Sequence, residues 1–246
     1  MTEGRADVSG YPVIDVSADA ARVEHPHGAT LLVGADGFMI HAWIGNGRMP
    51  DWHRNIDVDE LWIHAEGPPI TIMSRQFGDS TAVLEHGQLI LLPQGIIHSA
   101  DAPPEPRLTI VIVETTLHGY TRPSVAAALA TEALEAKPSV VDLNEEATRF
   151  TPPWRYPQVE VVSADGFTVE LHVRSEGSIL RRGCDQARDH VWYVLQGEVL
   201  FEGDEEGQGV ILGGQQMVNM TAGTAYRPVS VSQCSVALLF RRKVHK

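Results

Sequence analysis

The stretch DWHRNIDVDELWIHAEG, residues 51–67, decides the fold. It sets His53, Asn55 and Glu60 at the edge of an apolar run that ends in Gly67. Alternate residues of a strand share a face. His53 and Asn55 therefore point one way with Arg54 opposite, and Glu60, Trp62 and His64 share a face of the next strand. If the two strands are hairpin neighbours, His53 and Glu60 converge across the ladder. His98 is the candidate for a third donor, because it follows a Pro93-x-Gly95 turn that carries a strand back into the same layer. Two neutral imidazoles and one carboxylate form a facial triad with open positions, a set that suits non-haem Fe(II). From His53 and Glu60 alone, a half-exposed hairpin carrying ordinary surface polarity is the favoured reading.

Outward from that stretch, most of the chain reads as short strands split by Gly, Pro and Asp turns: TLLVG, GFMIHAWIG, ITIMSRQFG, QLILLPQG and LTIVIVETT. This pattern predicts an all-β sandwich or barrel. It breaks at Pro123, where PSVAAALATEALEAK has helix formers, a first-turn proline and a following Pro138, and predicts a helix. Strands then resume with VEVVS, FTVELHV, VWYVLQGEVLFEG and VALLFRR. The expected division is residues 1–122 as an N-terminal barrel with the metal site, 123–155 as a helix-containing linker, and 156–246 as a C-terminal barrel. The second half echoes the first. Glu60 precedes Gly67 by the same interval as His190 precedes Gly197, and Pro93-x-Gly95-x-x-His98 is matched by Thr221-x-Gly223-x-x-Tyr226. Fixed spacing with altered residues predicts a duplicated module whose second copy lost its polar groups.

Composition narrows the function. The chain has 246 residues and a net charge of −13 with no long basic run. Nucleic-acid binding by counterion release needs clustered Lys and Arg, so it is not expected, nor is docking on anionic membranes. No apolar run approaches the roughly 20 residues that span a bilayer, and MTEGRADVSG lacks a signal-peptide pattern. Two cysteines, Cys184 and Cys234, are too few for a disulfide framework, and a cytoplasmic protein with free thiols is expected.

The full spacing reads Gly47-x5-His53-x-Asn55-x4-Glu60-x6-Gly67, then Gly87-x5-Pro93-x-Gly95-x2-His98. It resembles the two motifs of the cupin superfamily over about fifty residues, glycines and proline included. The usual second histidine is Asn55, and the asparagine that usually ends the second motif is Ala102. Ring-cleaving cupin dioxygenases for 3-hydroxyanthranilate and for homogentisate share the His-x-Asn departure and bind iron through His, Glu and His. Asp51-Trp52-His53 and His53-Arg54-Asn55 look like the openings of those motifs, although the gap before Glu60 is one residue longer. The resemblance implies two jelly-roll barrels, an active first one and a degenerate second one, with a homodimer expected. It implies Fe(II) on His53, Glu60 and His98 and an extradiol-type opening of a small hydroxylated or amino-hydroxylated aromatic acid by O2.

Further candidates follow from that reading. Asn55 is a hydrogen-bonding group beside the ligands, and Glu114, at the end of the apolar run VIVE, is a candidate proton shuttle. Trp62 would line the pocket, with plain barrel core as the alternative. An aromatic acid needs a cation for its carboxylate; Arg48, Arg75 and Arg107 are the candidates. His41, Trp43 and His64 are expected as core residues. In the second half Cys184, Gln186, His190 and Tyr226 stand at ligand positions, where packing is expected rather than metal; His25 and His27 are weak metal candidates. The rival functions are a cupin isomerase, dehydratase or decarboxylase on another metal, and a non-enzymatic small-molecule binder.

Overall fold

A computed structural model describes residues 11–24, 28–45, 53–54, 59–74, 81–104, 107–115, 139–149, 158–164, 166–179, 185–204 and 208–243. The expected helix at 123–137 and the positions Arg48, Asn55, Arg75 and Cys184 lie outside them, as do His25 and His27. The described residues are nearly all β, with two short helices, α1 (Val16–Ala21) and α2 (Leu143–Thr148). No helix among them is long and apolar enough to cross a membrane.

The chain divides into two compact units. The first, chiefly Ser17–Glu146, holds a six-stranded sheet in the order β11 (Ser139–Asp142), β8 (Gln88–Leu92), β5 (Glu60–Glu66), β10 (Leu108–Thr115), β3 (Phe38–Gly45), β2 (Gly28–Ala35). A smaller sheet runs β4 (His53–Arg54), β9 (Ile97–Asp101), β6 (Ile70–Ser74), β7 (Thr81–Leu84). One core cluster joins the two layers. Trp62, Ile90, Leu92, Ile110 and Ile112 come from the large sheet, and Ile70, Ile72, Leu84 and Ala100 from the small one. Each buried Ile or Leu among them contributes about 1.5–3 kcal/mol by leaving water, which offsets the ordering of the strands that carry them.

The second unit, chiefly Thr168–Arg242, repeats the plan. Its six-stranded sheet runs β1 (Val13–Asp15), β17 (Gln216–Met220), β14 (His190–Gln196), β19 (Cys234–Arg242), β13 (Phe167–Ser175), β12 (Gln158–Ser163). Its smaller sheet runs β18 (Arg227–Ser230), β15 (Val199–Glu202), β16 (Gly209–Leu212). Strand for strand, both orders match those of the first unit, except that β4 is answered only by an isolated antiparallel bridge from Ile179 to Val229 of β18. The duplication expected from spacing is thus present as topology.

The units do not follow chain order. Val13–Asp15 precede the first unit's strands in the chain, yet pair in the second unit's sheet, with Asp15 opposite Gln216. Ser139–Asp142 fall where a linker was expected, yet pair in the first unit's sheet, with Asp142 opposite Gln88. The two arms are copies of one device. Val13-Ile14-Asp15-Val16 and Val140-Val141-Asp142-Leu143 take the same register, and the residue after each aspartate donates its N–H to the residue before the partner glutamine. Those bonds are Val16 to the Gln215 carbonyl, 3.0 Å, and Leu143 to the Gly87 carbonyl, 3.1 Å. Gly87 and Gln215 both sit at positive φ, 80° and 66°, to offer that carbonyl.

Asp142 also starts α2. Its Oδ1 accepts from the Asn144 and Glu145 amides at 2.9 Å each, and its Oδ2 accepts from Gln88 Nε2 at 3.1 Å. The side chain thereby satisfies two of the orphan donors of the first helical turn. The Glu145 amide, then Gln88, hold its carboxyl below the usual aspartate range. A depressed native value means the stabilisation is full above the unfolded value of about 3.9 and fades as pH falls through the native one. Asp142→Ala is expected to lower unfolding free energy by about 1 kcal/mol at pH 7, read as a lower urea midpoint. The gap between wild type and variant should shrink below about pH 3.9.

Candidate metal centre

Glu60 opens β5 and His98 is the second residue of β9, so the two come from different sheets. Both are buried, at 3% and 1% exposure, and Glu60 Oε2 stands 3.3 Å from His98 Nε2. Two donors about 2.1 Å from one ion and roughly at right angles stand about 3 Å apart, so this spacing fits a shared cation. The tautomer points the same way. His98 Nδ1 lies 3.3 Å from the Ile96 carbonyl, which can only accept, so a neutral imidazole that donates there turns the lone pair of Nε2 towards Glu60. A carboxylate and an imidazole lone pair aimed at one point are completed by a proton or by a cation.

His53 takes the register position opposite His98 on β4, and Ser74 of β6 takes the other side. The expected hairpin pairing between the His53 and Glu60 strands is corrected here. β4 pairs with β9 in the small sheet, while β5 lies in the large one. His53 is thus placed beside His98 along the ladder rather than beside Glu60. Its side chain is outside the described residues, and among those that are described no group of three or more His, Cys, Asp or Glu gathers around one point.

A second contact holds the pair in place. Asp59, the residue before Glu60, accepts the Gln94 amide on Oδ1 at 2.8 Å. Gln94 lies in the turn that leads to His98, closed by Ile96 N–H to the Pro93 carbonyl at 3.2 Å, with Gly95 at φ 85°. An L-residue with a Cβ rarely adopts that conformation. This is the physical reason for the Pro-x-Gly spacing: it turns β8 into β9 just before the histidine.

Cα partners across an antiparallel ladder share a face. Glu114 on β10 is the partner of Glu60 on one side and of Met39 on the other. Two carboxylates directly opposite repel, which again favours a cation or shared proton at this end of the sheet. In the next row Ile112 partners Trp62 and His41. Trp62 is 1% exposed, sits in the core cluster and sets its ring edge-on to His98, centroids 5.4 Å apart and planes at 77°. It buttresses the imidazole from within the core. His41 is half-buried; burial lowers its imidazole below the usual value, against the opposing charge of Glu60. His64 is a buried core histidine, with Nε2 2.7 Å from the Pro68 carbonyl and its basicity lowered by burial.

Arg107 is not brought to this group. It is exposed and donates to the Val23 carbonyl at 3.1 Å. It precedes Leu108, which partners Gly45 at the far end of β10 from Glu114, and a strand of that length separates its ends by more than 20 Å.

The second unit shows the same positions in other hands. Asp189 Oδ1 accepts the Ala222 amide at 2.8 Å, as Asp59 does that of Gln94, and Gly223 is at φ 85°. His190 stands at the place of Glu60, and Tyr226 at that of His98. His190 Nδ1 meets Tyr226 Oη at 2.5 Å, Trp192 Nε1 donates to the same oxygen at 3.0 Å, and His190 Nε2 lies 3.6 Å from Asp185. Gln186 is exposed. Nδ1 is engaged by the tyrosine, while Nε2 has Asp185 near it beyond hydrogen-bond distance.

No family model matches the chain, and no curated protein matches it. Solved structures do. A cupin 2 conserved barrel domain protein from Leptotrichia buccalis superposes with a TM-score of 0.71 at 11% identity, covering 94% of this chain and 96% of its own. Salicylate 1,2-dioxygenase from Pseudoaminobacter salicylatoxidans, in an adduct with gentisate, gives 0.69 at 11% identity, covering 98% of this chain and 83% of that one. Oxalate decarboxylase of Bacillus subtilis, described for its Mn(II) centres, gives 0.60 at 11% identity, covering 92% and 75%. The chain therefore has the cupin fold, twice over in its strand orders.

The Asp59–Gln94 bond offers a test. Asp59→Ala is expected to weaken metal binding about tenfold, as loss of a group that orients ligands does, measured by competition with a chelator. Asp189→Ala, the matching change in the second unit, should lower thermal stability without changing metal content.

Proposed function

We propose that the chain is a non-haem Fe(II) dioxygenase that opens a small hydroxylated or amino-hydroxylated aromatic acid with O2. The observation that carries this is the buried Glu60–His98 pair, donors 3.3 Å apart, with His53 at the adjoining register position. The donor set of one carboxylate and two imidazoles suits Fe(II) and leaves positions open. Support also comes from the fold likeness to a dioxygenase solved with gentisate, an aromatic acid with two ring hydroxyls.

His53, Glu60 and His98 would hold the iron. Bound iron would supply a path for electrons from a chelated ring to dioxygen. The chain's own residues do the rest. Trp62 and the core beneath it close the ligand side to water and fix the His98 ring. Glu114, the register partner of Glu60, would take or return the proton of a substrate hydroxyl. Asn55 follows His53 in sequence and would hydrogen-bond the bound substrate. Arg48 and Arg75 remain the proposed partners of a substrate carboxylate. The fold likeness to a manganese decarboxylase favours, as a second reading, a metal-dependent lyase on the same three ligands.

Purified protein is expected to carry about one iron per chain. It should consume oxygen on gentisate, an aminophenol acid or a catechol, and Glu60→Ala and His98→Ala should each lose the metal. Stoichiometric zinc or manganese with no oxygen uptake across that panel would overturn the dioxygenase reading. Metal loss in His190→Ala instead of Glu60→Ala would move the site to the second unit.

A further inference from the structure

The exposure of β3 runs opposite to that of an ordinary barrel strand. Phe38, Ile40, Ala42 and Ile44, on its outer face, are sealed at 0–2% exposure. Met39, His41 and Trp43, on the other face, are all partly exposed. That other face is the interior. His41 partners Ile112, which partners Trp62, and Trp43 partners Ile110. Ile110, Ile112 and Trp62 form the interior core, with Trp43 packed against it. Inward-facing side chains that stay accessible while the outward ones are sealed mean that the interior is open along β3. The accessible wall consists of a thioether, an indole and one imidazole. No hydrogen bond to another described residue engages the His41 ring.

Its distance from the proposed metal suits a bound ring. β10 lies between β3 and β5, so His41 stands two strand spacings, about 10 Å, across the sheet from the Glu60 strand. An aromatic acid held at Glu60 and His98 by one edge would bring its other edge to that wall.

We infer that His41 is a substrate-contacting residue: its imidazole hydrogen-bonds the polar substituent of the ring that lies away from the metal, while Met39 and Trp43 pack the ring. The position of the ring rests on the proposed metal site; the wall itself rests on β3. An imidazole that can donate or accept serves a phenolic hydroxyl or a carboxylate, and the indole and thioether supply favourable contacts to an aromatic face or edge. His41 is therefore a determinant of substrate choice, distinct from the groups that hold metal.

The test compares full-length wild type with His41→Ala and His41→Gln. Metal content is measured first, then anaerobic binding of gentisate by quenching of tryptophan fluorescence, then KM and kcat for oxygen uptake. His41→Ala is expected to keep its metal, weaken gentisate binding about tenfold, and raise KM more than it lowers kcat. His41→Gln, which retains a donor and an acceptor, should recover part of the affinity. Unchanged affinity and KM in His41→Ala would overturn the inference while leaving the dioxygenase reading intact. Loss of metal in His41→Ala would also overturn it, since that makes the residue a ligand or a structural support. Gentisate binding that depends on His41, with no oxygen uptake by wild type, would sustain the inference and remove the dioxygenase reading. Wild type that neither binds nor oxidises gentisate, catechol or an aminophenol acid would overturn both.

Discussion

The bond from the Gln94 amide to the Asp59 carboxylate ties the two halves of the candidate site together. Glu60 belongs to the large sheet and His98 to the small one, so no ladder hydrogen bond fixes one against the other. The clasp lies one residue from Glu60 and four from His98, and it spans the layers at the point where the turn must deliver the histidine. Its counterpart, Ala222 to Asp189, persists in the second unit, where a glutamate and a histidine no longer stand at the two positions. A contact retained where the ligand set is gone belongs to barrel closure first. The candidate chemistry is built on a junction that the fold needs anyway.

The same logic covers the arms. A three-residue strand such as Val13–Asp15 has little stability of its own. Each arm gains its place through an edge strand, β17 or β8, and through the N–H that follows its aspartate. A carbonyl aimed at that N–H requires the preceding turn residue to sit at positive φ. Gly87 does so freely, and Gln215 does so with its side chain engaged by the Tyr193 hydroxyl. Arm, turn and edge strand therefore recur together as one unit of the duplication.

Much of this was legible in the residues, for identifiable reasons. His98 was singled out by the Pro-x-Gly turn before it, and Glu60 only by the long motif spacing that resembles the cupins; the structure brings the two side chains to 3.3 Å. Pairing was harder. His53 and Glu60 are seven residues apart, a separation that suits a hairpin, and nothing local says that the chain changes sheets between them. The arms carried a signal, Val-x-Asp followed by Val or Leu in both halves, but three residues are too few for periodicity to assign a strand. His41 was passed over because alternation gives the face of a side chain and not its exposure. Both faces of FMIHAWIG are apolar enough to read as core, and only the third dimension shows the interior one to be the more open. Arg107 failed for the converse reason: closeness in sequence to β10 put it at the wrong end of the strand.

The two copies also show what separates a metal-ready pair from a self-sufficient one at the same backbone positions. His190 Nδ1 and Tyr226 Oη meet, and Trp192 adds a donor to the phenol oxygen, so that oxygen is held from two sides in a buried setting. At the matching place in the first unit a carboxylate, Glu60, faces the His98 imidazole, with a second carboxylate, Glu114, opposite the first. Burying such a set is costly unless positive charge joins it. The exchange of an imidazole for a phenol and of a carboxylate for an imidazole removes from those two positions the carboxylate on which a cation is proposed in the first unit.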